Sequence, residues 1–261
     1  MQDELTKLSE EAWNTSAYDA WLQRFGEPAL VAEKLKRDPI SKLSSLYRFF
    51  EEIEGKKIAN LLGSNGIKAT ALALLGANVT VVDFSEPNKR YALEVAKEAD
   101  IQLRYLVHDI LHLPKEEQTE DYDIVFSEFG ILHYFLELEP FFQSAASLLK
   151  PGGKFIIQDF HPFSKMITSS GTTHKIRKHK ITGDYFDTSL IESEVSYSKF
   201  LKEIHQKPAK VMLRKWTMGE IVTSIASAGL NIKVLEELPN LSSEVYDQGI
   251  PKTFTILAEK N

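Results

Sequence analysis

Apolar positions along the chain fall into two alternating rhythms. Residues 57–62, 78–82, 103–107, 124–126 and 154–160 are short, nearly continuous apolar runs, the pattern of strands covered on both faces. Between them, 69–75, 86–99 and 135–149 carry apolar residues at spacings of three and four, which predicts helices. Strand, helix and strand in repeated succession predict a mainly parallel sheet.

Two further helical stretches precede this alternation. "LSEEAWNTSAYDAWLQRFG" and "PISKLSSLYRFFEEIEG" both keep helical spacing and both close on a glycine, so they are expected to form an N-terminal helical cover. The alternation stops after Phe160. Residues 161–215 hold loop residues, aromatics and the basic run "HKIRKHK", fit neither period, and are expected to be an insertion or lid. Order returns at "WTMGEIVTSIASAG", where Thr217 reads as a helix cap, Ile221, Ile225 and Ala228 keep helical spacing, and Gly229 ends the helix. Runs 231–238 and 253–259 follow with no helix between them, so they should pair as an antiparallel hairpin. The expected organisation is one unit over 1–261: a cover to 55, a cofactor-binding core over 56–160, a lid over 161–215, and a closing helix and hairpin from 216.

Composition narrows the function classes. The 261 residues carry a formal net charge of −6, which counts against nucleic acid as a partner, because such binding rests on cationic contacts to phosphate. Cysteine is absent, which excludes disulfides, thiolate zinc sites and iron–sulfur chemistry. "MQDELTKLSEEAW" is acidic and polar, and no apolar run reaches the ~18 residues of a membrane span. The expectation is a cytoplasmic protein that touches no membrane.

The stretch "IANLLGSNGIKAT" carries the main chemical signal. A strand that ends in a glycine turn and feeds a helix aims backbone N–H groups at whatever lies above the strand end. Alone, such a turn is better explained by tight packing. Asp83 changes this, because it closes the next strand, 20 positions after Gly63, where a carboxylate can accept both hydroxyls of a ribose. A dinucleotide turn needs GxGxxG, yet Asn65 takes the middle glycine position and Lys68 or Ala69 the last. An adenosyl cofactor therefore fits better than a dinucleotide. As a strand-end group facing a cleft, Asp83 is expected to lie outside the core.

In chain order come "LVHDILHLP", with Asp109 after the third strand, "DYDIVFSEFGILHYF", with Ser127, Glu128 and Phe129 at the end of the fourth, and "LLKPGGKFIIQDFHPF", a helix stopped by Pro-Gly-Gly and turned into a strand. With these residues the chain resembles the class I S-adenosylmethionine-dependent methyltransferases over about 57–160 and again from Trp216. The resemblance implies a Rossmann-like α/β fold: a seven-stranded, mainly parallel sheet with a reversed last strand and helices on both faces. It also implies S-adenosyl-L-methionine as cofactor. Gly63, Ser64, Asn65 and Gly66 would face its amino-acid part and Asp83 its ribose, with Ser85 next to that site. Phe84 and Ile110 would cover the adenine, Asp109 would accept from the adenine amino group, and Ser127, Glu128 and Phe129 would lie beside the methionine. The chain departs from the family pattern at Leu61, where an acid usually stands two positions before the first glycine; Asn60 is the polar neighbour that could substitute.

Methyl transfer from a sulfonium needs alignment, and a base only where the acceptor carries a proton. The candidates at strand ends are His161 first, then Glu128, with His133 and Asp159 behind them, because ligands sit at the carboxyl edge of a parallel sheet and imidazole titrates near neutrality. Core packing is the commoner explanation for Trp13 and Tyr18, but the resemblance implies a helix over the cofactor mouth and makes them candidate cover residues. Tyr185, Phe186 and Trp216 would line either a substrate pocket or the lid's own small core. The expected activity is methyl transfer to a small molecule. The alternatives are a cofactor-binding protein without turnover and an NAD(P)-dependent oxidoreductase, for which a hydride-transfer constellation is lacking.

Overall fold

Successive side chains of the central strands enter two different cores, and this is why those strands read as continuous apolar runs. The computed structural model describes residues 1–163, 183–202, 207–239 and 250–261, together with the backbone of 167–173 and 176–181. In β1 (Lys57–Leu61), Ile58 joins one core while Ala59 and Leu61 join the other. β2 (Asn78–Asp83) divides likewise between Val81 and Val82, and β4 (Tyr122–Glu128) between Phe126 and Val125, while β3 (Arg104–Val107) forms one edge. β5 (Leu149–Phe160) divides between Ile156 and both Phe155 and Ile157.

Two antiparallel hairpins follow, β6 (Ile167–Thr173) with β7 (Ile176–Ile181) and β8 (Leu190–Glu194) with β9 (Lys210–Arg214). The last strands are β10 (Leu230–Leu238) and β11 (Thr253–Lys260). The main sheet runs β10-β11-β5-β4-β1-β2-β3, parallel from β5 to β3, with β11 antiparallel to both of its neighbours. The seven-stranded sheet with a reversed strand and a closing hairpin is thus present as expected.

Helices cover both faces. α1 (Gln2–Phe25), α2 (Pro28–Arg37), α3 (Ile40–Leu43) and α4 (Tyr47–Phe50) precede the sheet. α5 (Ile67–Leu74) and α6 (Glu86–Glu98) pack with them over one face, whereas α7 (Glu139–Leu148) and α8 (Met218–Ser227) cover the other. Thr217 caps α8 in a reciprocal pair with Glu220, which satisfies two N-terminal donors at once.

The N-terminal cover and the insertion differ from the sequence expectations. α2 is an added helix, signalled by Pro28 at its first turn and by buried Val31, Ala32 and Leu35. The second expected helix breaks into α3, a 3-10 turn over Ser44–Leu46, and α4, because Ser44 and Glu51 take left-handed backbone at φ 51° and 53°. The stretch expected to fit neither period contains the two hairpins, and Val195, Tyr197 and Val211 bury into the core shared with α1. The side chains of the basic run lie outside the described residues.

Gly66 sets how closely α5 approaches α6. Its φ is 66°, and a Cβ there would lie 2.6 Å from the Ala92 Cβ. Gly66→Ala is expected to cost about 2–4 kcal/mol through left-handed strain and overpacking. Urea unfolding measures it, and an unchanged midpoint would show that α6 shifts at no cost.

Candidate active site

A cleft of about 1110 Å³ opens at the carboxyl ends of β1, β2 and β4 and is roofed by α1 and the second hairpin. Its floor is the glycine turn after β1. Leu62 and Ser64 hold left-handed backbone at φ 49° and 47°, conformations that side-chain-bearing residues adopt only under constraint. The constraint on Ser64 is Asp83. One carboxylate oxygen of Asp83 accepts from the Ser64 N–H at 3.0 Å, and the other accepts from the Ser85 N–H at 2.9 Å and the Asn88 side-chain amide at 3.2 Å. Tyr105 donates its hydroxyl to the Ser64 carbonyl at 2.8 Å.

Asp83 is therefore 8% exposed and part of the framework, contrary to the expectation that it lies outside the core. Burial pushes its carboxyl above the usual aspartate range, opposed by the three hydrogen bonds. The glycines also prove to have packing roles. A Cβ at Gly63 would meet the Asn60 side chain at 2.6 Å and Val81 at 2.7 Å, so Asn60 does lie directly against the turn.

Beyond β3, Asp109 caps a 3-10 turn by accepting from the Leu111 N–H at 3.0 Å, and it meets His112 Nδ1 at 2.9 Å. That contact raises the His112 pKa. Ile110 lies buried beside it, on the cleft wall. At the end of β4, Glu128 forms an ion pair with Lys68 of α5; burial raises its carboxyl and the Lys68 charge opposes the rise. Phe129 follows at φ 43°, with its N–H donating to the Gln158 carbonyl at 2.7 Å.

A residue ranked low from sequence organises the next loop. Asp159, at the end of β5, accepts from the N–H groups of Gly130 at 2.6 Å, Ile131 and Leu132 at 3.3 Å each, and Phe160 at 2.7 Å. The loop it gathers carries His133 to the junction between the main cleft and an adjoining chamber of about 290 Å³. Phe160, Ser193 and Leu213 also line both spaces.

The roof is tied down from α1. Trp13 donates to the Tyr134 hydroxyl at 3.1 Å, and Gln2 bridges the Tyr134 carbonyl at 3.2 Å and the Leu136 N–H at 2.8 Å. Burial pushes the Tyr134 phenol up to about 12. Partway along, α1 kinks at Ser16. There the Tyr197 hydroxyl accepts from the Ser16 N–H at 3.1 Å and donates to the Ala12 carbonyl at 2.8 Å, replacing one turn of the helical ladder with a side-chain bridge.

Of the residues singled out from sequence, Trp13, Gly63, Ser64, Asn65, Asp83, Phe84, Asp109, Ile110, Glu128, Phe129 and His133 line the cleft. Gly66 instead faces Ala92, and Ser85 is fully buried as the cap of α6. Ser127 is likewise buried within β4. Tyr18 turns outward to Glu94, and Tyr185 accepts from the Met218 N–H at 2.7 Å, which places it at the start of α8. His161, the first choice for a base, lines neither space. Its Nδ1 accepts from the Phe163 N–H at 3.1 Å, its Nε2 lies 2.7 Å from Glu237, and its ring packs against Phe254. It therefore stands on the hairpin side of the strand end. Lys68, Tyr134 and Gln2 are site residues that sequence reasoning missed; their partners lie 60, 121 and 132 positions away, with no local signal.

A cleft over a glycine turn, with acids at the ends of the next strands, has the layout of a Rossmann-like site for an adenosyl cofactor. A family profile described as "Methyltransferase domain" matches residues 62–157. The ubiquinone biosynthesis O-methyltransferase of Rickettsia canadensis is 26% identical over 203 residues, 76% of this chain and 71% of its own. Among solved structures, an S-adenosylmethionine-dependent methyltransferase from Mesorhizobium loti matches with TM-score 0.63 at 21% identity, covering 84% of this chain and 98% of its own. The magnesium protoporphyrin IX methyltransferase of Synechocystis with bound S-adenosylhomocysteine matches with TM-score 0.59 at 16% identity, over 98% and 99%. Residues 62–157 thus carry a methyltransferase domain, and the chain has the fold of S-adenosylmethionine-dependent methyltransferases.

The turn fits that cofactor on its own evidence. The Ser64 hydroxyl, on the cleft floor, is buried without a partner among the described residues, and an unpaired buried hydroxyl is costly unless a ligand supplies the missing bond.

Asp159→Ala is expected to lower stability by about 2–4 kcal/mol, because removing the shared acceptor strands several buried N–H groups. Chemical denaturation measures it. A loss below about 1 kcal/mol, the net contribution of a single hydrogen bond, would show that the loop is held by other means.

Proposed function

We propose that the cleft binds S-adenosylmethionine along Ser64, Asn65, Asp83, Phe84, Asp109 and Ile110, and that the adjoining chamber holds a small-molecule oxygen acceptor. The observation that carries this reading is the meeting of the two spaces at His133 and Phe160. The Rickettsia relative, named as an O-methyltransferase, supports oxygen as the acceptor atom.

When bound, S-adenosylmethionine supplies an electrophilic methyl group, and its transfer to a hydroxyl releases one proton. His133 stands where that proton appears and takes it as general base. Phe129 and Phe160, whose ring centroids are 5.3 Å apart, form an aromatic pair beside the junction. The Lys68–Glu128 pair fixes the β4 end beside them. Asp83 holds the ribose with the lone pairs left over from its three framework bonds. Such a group favours the cofactor only while ionised.

Titration calorimetry with S-adenosylmethionine and NAD tests the reading at its base. Binding of the first and not the second is expected, and the reverse would sink it. His133→Ala should lower turnover by roughly 100-fold while cofactor affinity stays within a few-fold, as judged by S-adenosylhomocysteine formed against an acceptor panel; unchanged turnover removes His133 from the chemistry.

Asp83 also predicts a pH dependence. Its carboxyl is raised above the ordinary range, and binding favours the ionised form. Affinity for S-adenosylhomocysteine should therefore be flat at high pH and fall on acidification, starting above the ~3.9 of an unperturbed aspartate. Asp83→Asn should weaken binding by roughly 10- to 100-fold at neutral pH and remove that dependence. An unaltered pH profile in the variant would assign the titration to another group.

A further inference from the structure

The chamber beside the cleft is lined by a charge whose structural contacts use only part of its donor set. Arg214 closes β9, and its side chain is only 15% exposed. The guanidinium lies against Trp216, its Cζ 3.4 Å from the ring centroid, and its Nη2 donates to Glu220 at 2.9 Å. Trp216 is itself fixed, with its indole N–H donating to the Leu132 carbonyl at 2.8 Å. Arg214 Nη1 is buried with no acceptor among the described residues.

A buried guanidinium with an unpaired donor is expensive, and planar stacking with a second anchored nitrogen leaves it little freedom to turn to solvent. The other charged residues of the chamber are already engaged. Glu192 is ion-paired with Lys210, Lys215 lies 3.4 Å from Asp187, and Asp159 holds the loop N–H groups. Among the described charged residues of the chamber, Arg214 is the one with a buried donor left unpaired. Guanidinium geometry suits a carboxylate, which accepts two parallel N–H bonds.

The chamber's size and walls describe the rest of the ligand. Its volume of about 290 Å³ compares with the ~150 Å³ cavity that accepts benzene, so it has room for one ring with substituents. Phe160 and Trp216 are its aromatic wall residues, and His133 lines both it and the cleft.

We infer that the chamber selects a hydroxylated aromatic carboxylate as methyl acceptor, with Arg214 binding the carboxylate while the hydroxyl is presented at His133. This rests on the proposal that the chamber is the acceptor site, and it names the acceptor's class. Arg214 is then the specificity-determining residue, and its buried unpaired donor is the feature that a neutral acceptor would leave unexplained.

The test uses the full chain loaded with S-adenosylhomocysteine and a panel of hydroxybenzoates, each paired with its benzamide. Saturable cofactor binding, measured first, checks the methyltransferase site separately from the inference. Carboxylates should bind at least 10-fold more tightly than their amides, and Arg214→Met should abolish that preference while keeping S-adenosylhomocysteine affinity. Glu220→Gln keeps an N3 side chain able to complete the capping box and frees the second guanidinium nitrogen, so it should strengthen carboxylate binding; this arm holds even if Arg214→Met fails to fold. Equal affinity for carboxylates and amides, a preference that survives Arg214→Met, or no binding by any carboxylate of the panel to the loaded protein would each overturn the assignment.

Discussion

The site depends first on the carboxylate of Asp83. Ser64 holds a backbone conformation that is unfavourable for a residue with a side chain, and its N–H is kept in place by an oxygen at the end of the neighbouring strand. The same carboxylate reaches the first turn of α6 through Ser85 and Asn88. Strand end, glycine turn and helix start are thereby fixed by one buried charge. Burial raises the cost of that charge, and the hydrogen bonds offset part of it. A fold that needed only a tight turn could use a neutral acceptor here.

A second acid repeats the device across the sheet. Asp159 gathers the loop after β4 as Asp83 gathers the turn after β1, and the two loops face each other over the carboxyl edge. The roof then closes on the second loop through Trp13, Gln2 and Tyr134. Tyr197, from the insertion, stands within the helical ladder of α1 at the kink, so any movement of the insertion is felt by the helix over the cleft. The cover and insertion form one packed unit with the site, and this explains why the helical cover reads poorly from periodicity alone.

Much of this was legible in the sequence, for identifiable reasons. Strands buried on both faces announce themselves as apolar runs, and the missing helix between the last two runs was enough to call the hairpin. Gly63, Asp83, Asp109 and Glu128 sit at strand ends, so finding the strands placed them at one edge. The candidates that do not line the cleft miss it for a common reason. His161 also follows a strand end, but it does so beside β11, where the hairpin rather than the cleft takes up its ring. A strand end fixes height on the sheet and leaves the direction of the side chain open. His133 reads from sequence as a residue packed at a helix start; its place at the cleft depends instead on a loop shaped by Asp159, a contact spanning 27 to 29 residues. Tyr18 and Trp13 share a helical stretch, yet only one faces inward, because the kink at Ser16 changes which residues point at the cleft. A solvated hairpin is the safer reading of the basic run, and β6 and β7 form a hairpin there; the β8–β9 hairpin carries no such signal, because β8 is mostly exposed and lacks the alternation that marks a half-buried strand.

The central claim is that an adenosyl cofactor sits on the turn that Asp83 holds, with its reacting end toward the loop that Asp159 holds. Amide hydrogen exchange with and without saturating S-adenosylhomocysteine tests it most directly. Protection should rise over residues 62–66, 83–85, 109–111 and 128–133 and remain unchanged in β10 and β11. Protection confined to the hairpin side around His161, or none at the turn despite measurable binding, would contradict the account.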